Sequence, residues 1–427
     1  MKKITLIAIS AFFSFLFNVS AQPYVKIDTS FYSSVLGEEK MVDVYLPQDY
    51  YQNPDQQYAV IYYLHGGGGN QNTGSQSAIR YYTNHYADSS ITSPAAIYVC
   101  PDGSCPPYMG CMWVNSELYG NYEDYVITDV REFVQSNFRV LQDKNFQFIQ
   151  GQSMGGFGSV YLAVKHPDLF RAACPSAGAF SWPDTLINAW RTYLYEENNG
   201  FNFNYNAGLY TKVYFTLCGG FSPDTNAVPW LFESLYDTLG NVVEEVYSKW
   251  NGFMSANMIK DIPPENNLAF FLICGMEDEL SFFPSNLDFT DTLQKYGRYY
   301  QTAWHNYGHT VFDPVSYKKM FHWVDSLIME SSLDVPRFNF NLSKVEMACY
   351  PNPFSETISA EIILPEPGRV SVRLYDQMGK CIRQLYEGYL DRRKNQIHES
   401  TADLPSGIYL CRVHWRDVFV TQKLVKL

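Results

Sequence analysis

The stretch Phe148-Ile-Gln-Gly-Gln-Ser-Met-Gly-Gly-Phe-Gly-Ser159 sets one serine among glycines, after a β-like run and before a helix-like one. Gly151-Gln152-Ser153-Met154-Gly155 fits G-x-S-x-G. The motif alone is a weak signal, and its context gives it meaning. FQFI (146–149) reads as a strand, and Phe157, Val160, Tyr161 and Val164 fall on one face of a following helix. In that setting the serine occupies a sharp, strained turn that lifts its hydroxyl above a sheet edge. The unpaired N–H groups of the helix N-terminus then lie under the reacting centre. Side chains at 151 and 155 are expected to collide across this turn, which explains glycine at both. Ser153 is therefore read as a nucleophile.

Outward from this turn, apolar β-like runs alternate with helical patterns. Residues 58–64 (YAVIYYL), 95–100 (AAIYVC), 171–176 (RAACPS) and 268–274 (LAFFLIC) read as strands buried on both faces. Residues 123–138 carry Tyr125, Ile127, Val130, Phe133 and Val134 at helical spacing. Residues 26–35 and 41–46 alternate around Gly37, predicting an antiparallel hairpin. The pattern is that of a doubly wound, mostly parallel α/β sheet. An aromatic- and Asn-rich stretch, 180–264, interrupts the rhythm and is read either as a cap or insertion beside the site or as ordinary surface helices.

A serine hydroxyl is a poor nucleophile at neutral pH and needs a base, with a carboxylate to orient it. His309, in a loop beyond the β-like run YYQTAWHNY (299–307), is the favoured base; His305 falls inside that run and His322 inside a helix. The carboxylate is sought after residues 268–274, where CGMEDEL offers Glu277, Asp278 and Glu279. Asp278 is favoured; the glutamates are expected to be solvated, though either lies within the uncertainty of the turn. Oxyanion donors are expected at the Met154 N–H and in the loop His65-Gly66-Gly67-Gly68-Gly69, with Gly67 first and Gly68 next. His65 is expected to pack beneath that loop. HNYGH (305–309) lacks the glutamate of a zinc-binding HExxH, and GGGGNQNTG lacks the lysine of a P-loop, so neither a metal nor a nucleotide cofactor is expected.

The 427 residues are 46% hydrophobic, with a formal net charge of −13, which argues against a nucleic-acid partner. Residues 1–21 read as a secretory signal peptide: two lysines, a short apolar run and Val19-Ser20-Ala21. No later run is long and apolar enough to predict a transmembrane anchor in the mature chain. Of nine cysteines, Cys105 and Cys111 bracket CPPYMGC and could pair; Cys100, Cys174, Cys218 and Cys274 sit in β-like runs as buried thiols. An α/β domain is assigned to 22–332, a linker to 333–346 and a β-rich module to 347–427. The last carries 11 Lys/Arg against 9 Asp/Glu, a net +2 in a chain of −13.

LHGGGG, PDG (101–103), NYEDYVITDV, GQSMGGFGSVYLAVKHPDLF, CGMED and YGHT together resemble the Putative esterase branch of the α/β-hydrolases. That branch holds carbohydrate esterase family 1 (feruloyl and acetylxylan esterases), S-formylglutathione hydrolases and mycolyltransferases. The resemblance runs from about Tyr24 to Glu330, is weakest over 180–264, and implies Ser153, Asp278 and His309 as the catalytic set. YPNPF, VRLYDQMGK, DLPSGIYLCRV and the terminal KLVKL resemble a C-terminal sorting domain of the type IX secretion system. This implies contact with the secretion machinery, export to the surface or medium, and removal of the tail. The implied activity is hydrolysis of acyl or feruloyl esters, either small esters or an acylated plant polysaccharide. A serine peptidase or acyltransferase on the same fold, or a non-catalytic glycan-binding protein, remain as alternatives.

Overall fold

A computed structural model describes residues 24–86, 95–310, 312–332, 345–364, 368–376, 380–390, 394–416 and 418–427. The expected signal peptide and most of the expected linker lie outside them. The chain divides into two compact units, Met1–Asp334 and Val335–Leu427.

The first unit is built on eight strands: β1 (Tyr24–Ser33), β2 (Glu38–Pro47), β3 (Val60–Leu64), β4 (Ile97–Pro101), β5 (Gln147–Gln152), β6 (Ala172–Ser176), β7 (Ala269–Gly275) and β8 (Tyr300–His305). Their order across the sheet is β1-β2-β4-β3-β5-β6-β7-β8. β1 and β2 form the expected hairpin, β2 meets β4 antiparallel, and every other pairing is parallel. Strand β3 shows why the interior runs are apolar throughout. Val60, Tyr62 and Leu64 enter one core, while Ile61 and Tyr63 enter the other on the opposite face. Both faces are covered by helices, so alternation with polar residues would bury polar groups on one side.

The helical stretch read at 123–138 runs from Tyr122 to Asn137 and is interrupted by a π-type segment, Tyr125–Val130. Between β6 and β7, the 180–264 stretch folds into helices Asp184–Asn198, Leu209–Phe221 and Glu244–Asn251 with shorter turns after them. Cys218 lies in the second of these helices, contrary to the β-like reading; its neighbours are apolar in either periodicity. Cys105 and Cys111 carry free thiols, Cys111 fully buried. Among the described residues no helix is long and apolar enough to cross a membrane.

The second unit contains β9 (Glu346–Tyr350), β10 (Thr357–Ile363), β11 (Gly368–Asp376), β12 (Cys381–Leu390), β13 (Lys394–Ser400), β14 (Gly407–Trp415) and β15 (Val418–Lys426). They form two antiparallel sheets, β9-β10-β13 and β12-β11-β14-β15. Ile358, Ala360 and Ile362 of the first share a core with Val372, Leu374, Cys411 and Val413 of the second. The last residue of the expected linker, Glu346, is already in strand β9.

Candidate active site

The C-terminal ends of β3, β5, β7 and β8 lead into the segments that bear the predicted site residues. Beyond β5 the chain turns at once into the helix Met154–Lys165. Ser153 sits on the turn with φ 57° and ψ −116°, a left-handed backbone that costs a non-glycine residue about 1–3 kcal/mol. The conformation is held from both sides: Ser153 N–H donates to the Ser176 carbonyl at 2.8 Å, and its own carbonyl accepts Phe157 N–H at 2.9 Å.

The two flanking glycines are required, though by different neighbours. A Cβ on Gly151 would lie 2.1 Å from the Gly155 carbonyl oxygen, the expected collision across the turn. A Cβ on Gly155 would instead lie 1.9 Å from the Leu64 carbonyl oxygen, at the end of β3. The helix therefore rests against the neighbouring strand as well as against its own.

Beyond β7, Asp278 is buried, and its side chain is fully shielded from solvent. One carboxylate oxygen, Oδ1, accepts Leu280 N–H at 2.8 Å, which closes the turn. The other, Oδ2, lies 2.8 Å from Nδ1 of His309, in the loop after β8. On the far side of the ring, Nε2 lies 2.8 Å from Ser153 Oγ. Three side chains from distant parts of the chain are thereby joined in one hydrogen-bonded line. Such a line can move a proton from a hydroxyl to an imidazole whose tautomer a carboxylate fixes.

Of the alternatives at these positions, Glu277 is exposed. Glu279 is exposed, as expected, and also makes a structural contact: Oε2 accepts the His309 N–H at 2.6 Å. That donor holds the Glu279 carboxyl below the usual carboxylate range. A glutamate pinned to the backbone of the base is invisible to motif reading, because its partner is an amide 30 residues away. His305 ends β8 and is buried, which lowers its pKa. His322 is exposed on the helix Pro314–Ser332. Gln152 went unread as well; its Nε2 donates to the His309 carbonyl at 3.3 Å.

The glycine loop after β3 divides the two oxyanion candidates. Gly68 N–H donates to the Met109 carbonyl at 2.5 Å, so that donor is engaged, whereas Gly67 lines the cavity in front of Ser153. His65 lies beneath this loop, fully buried. Nδ1 meets the Gly66 carbonyl at 2.8 Å and Nε2 accepts Gly103 N–H at 2.9 Å. Those roles require the neutral ring, and burial pushes its pKa down to about 4. Trp113 locks the region by donating its indole N–H to the His65 carbonyl at 3.2 Å.

A cavity of about 160 Å³ opens at Ser153. Its walls are mostly apolar. Met109 and Met112 come from the loop after β4, Phe157 from the helix behind the serine, and Phe282 from beside Asp278. Trp182, Val213, Leu217, Phe221 and Met254 come from the stretch between β6 and β7. Ser153 is half-buried, so its oxygen is reachable from this space.

Residues 33–331 match the family described as Putative esterase, and residues 348–427 match the secretion system C-terminal sorting domain. Esterase Rv1288 of Mycobacterium tuberculosis (strain ATCC 25618 / H37Rv) is 30% identical over 158 residues, 35% of this chain. Esterase MT1326 of strain CDC 1551 / Oshkosh shows the same identity over the same length. The chain spans 32% of the length of each of these curated relatives. Among solved structures, a ferulic acid esterase superposes with a TM-score of 0.51 at 17% identity, covering 72% of this chain and 98% of that one, a likeness of fold.

Proposed function

Since the chain belongs to the Putative esterase family and ends in a secretion-system sorting domain, we propose that it is an exported serine esterase working through Ser153, His309 and Asp278. The observation that carries this reading is the pair of 2.8 Å contacts that His309 makes, one to Ser153 Oγ and one to Asp278 Oδ2, at the mouth of an apolar cavity.

In the first half-reaction Ser153 Oγ attacks the ester carbonyl carbon as its proton passes to Nε2 of His309. Asp278 stabilises the imidazolium that forms. The carbonyl oxygen, now negative, is received by the N–H groups of Met154 and Gly67, each worth about 3 kcal/mol of transition-state stabilisation. Collapse breaks the ester C–O bond, and His309 returns the proton to the departing alcohol. Water then gives a proton to the same nitrogen and attacks the acyl-serine; collapse breaks the bond to Ser153 Oγ, His309 returns the proton to that oxygen, and the acid leaves. Gly67 and Met154 on the cavity wall, Met154 at the first turn of the helix, and the left-handed serine backbone support this assignment of roles.

The apolar cavity supports an acyl group without charge. Its volume is close to that of an apolar cavity of about 150 Å³ that takes up benzene. A short aliphatic acyl, or the ring of an aromatic acyl such as feruloyl, matches that size; export and family together favour plant polysaccharide as the carrier. The test is hydrolysis of methyl ferulate, an aryl acetate and a peptide anilide by wild type and Ser153→Ala. We expect ester cleavage, no anilide cleavage, and a loss of roughly 10⁶ in kcat in the variant. Equal rates would remove Ser153 from the reaction, and anilide cleavage would favour a peptidase.

A further inference from the structure

Away from Ser153, the helices Gln71–Tyr86 and Pro314–Ser332 pack together over one face of the sheet. Three chemically matched side chains meet where they do so. His85 is in the last turn of the first helix, while His322 and Asp325 lie three residues apart on the second and so share a face. One potential ligand atom from each lies within 4.8 Å of the others. The His85 and His322 rings stand edge to face with centroids 4.8 Å apart. His85 and Asp325 are buried and His322 is exposed, so the cluster is open on one side only.

Two details set this cluster apart from an ordinary ion pair. Asp325 is held in place from behind: Oδ1 accepts the Tyr86 hydroxyl at 2.6 Å while Oδ2 meets His85 Nε2 at 2.6 Å. A ligating carboxylate oriented by a second hydrogen bond is the usual support of a metal centre. The other nitrogen of His85, Nδ1, is buried with no hydrogen-bond partner. Nδ1 can therefore hold the ring's proton, which leaves the lone pair of Nε2, the nitrogen facing Asp325, for an ion.

We propose that His85, His322 and Asp325 bind one divalent transition-metal ion of the zinc class and thereby tie the two helices together. Two imidazoles and one carboxylate select such an ion over calcium or magnesium, which take oxygen ligands. Ligand bonds of about 2.0–2.2 Å set tetrahedral ligand atoms roughly 3.4 Å apart, so the 2.6 Å contact of His85 with Asp325 opens slightly and gives up its shared proton while His322 draws in. His322, being exposed, is the side chain that moves, and water completes the tetrahedron. His85 lies near the far end of a helix that starts beside the glycine loop, roughly 20 Å along its axis. The ion is accordingly a clamp on the fold and stands apart from the reaction at Ser153.

The full chain, stripped with EDTA and dialysed, is titrated with ZnCl₂ by calorimetry and melted with and without the ion. Cobalt(II) serves as a spectroscopic stand-in. Wild type should bind about one equivalent, melt several degrees higher with zinc, and give a tetrahedral cobalt spectrum without thiolate charge transfer. His322→Ala, a change at an exposed position, should fold and weaken binding roughly 100-fold or more. His322→Cys should restore binding and add the thiolate band. The proposal is overturned by absence of saturable binding to wild type, by equal affinity in His322→Ala, or by a thiolate band in wild type, which would assign the ion to cysteines.

Discussion

Nε2 of His309 and Oγ of Ser153 stand 2.8 Å apart across 156 residues of chain, and the ring between them is held at three further points. Asp278 takes Nδ1, Glu279 takes the backbone N–H, and Gln152 donates to the backbone carbonyl. The two carboxylates are neighbours in sequence with different tasks, one on the ring and one on the main chain. Asp278→Asn presents an amide to Nδ1 and favours the wrong tautomer. Its kcat should fall about 10⁴-fold with little change in KM. Glu279→Gln keeps a weaker acceptor for the same amide and should lose less than about 100-fold. Steady-state kinetics on an aryl acetate gives the order, and a reversed order would mean that Glu279 is the functional acid.

Glycines that look alike in sequence should respond differently to alanine. Gly155→Ala drives a methyl group against the Leu64 carbonyl, backbone on both sides, and should cost about 4 kcal/mol or more. Gly37 has φ 71° but nothing within 4 Å of a Cβ, so Gly37→Ala carries only the left-handed penalty of about 1–2 kcal/mol. Urea midpoints of the two variants measure the difference.

Acid should weaken the fold through His65. Its folded pKa is about 4, against the ordinary 6.5. Between those values the unfolded chain binds a proton that the folded chain refuses, so stability falls as pH drops from 6.5 to 4 and is unaffected by this group above 6.5. The full window is worth about 3 kcal/mol. In urea unfolding at pH 7, 5.5 and 4, His65→Gln, which can still accept Gly103 N–H, should show the flatter dependence. Parallel curves would place the acid sensitivity elsewhere.

The cavity wall should sort substrates by acyl size. Val213 is half-buried on the helix Leu209–Phe221, and Val213→Trp fills space in front of the serine. For methyl ferulate, kcat/KM should fall roughly 10- to 200-fold, while for an aryl acetate it should stay within about 3-fold. A uniform loss on both esters would point to damage at the serine turn.

What could be read in the sequence followed from whether the controlling interaction was local. Strands β3, β4, β6 and β7 announced themselves because burial on both faces leaves a largely unbroken apolar run. Ser153 announced itself because its turn needs glycine on both sides within five residues. The tasks of Glu279 and Gln152 did not, since each is defined by the main chain of His309, 30 and 157 residues away. Gly67 and Gly68 were indistinguishable until the Met109 carbonyl claimed one of them. The His85, His322 and Asp325 cluster had no spacing to detect, because packing of two helices alone brings its halves together. Cys218 misled for the opposite reason: the short, largely apolar run around it has no clear period, so strand and helix look the same.

Trp182, Val213, Leu217, Phe221 and Met254 all belong to one excursion of the chain between β6 and β7. Much of the apolar cavity wall is thus carried on a length of polypeptide that holds none of Ser153, Asp278 and His309. On the proposed reading, a foreign segment grafted between those two strands should alter the appetite for acyl groups while Ser153, Asp278 and His309 stay in place, which makes this excursion the natural handle for redirecting the protein to new esters.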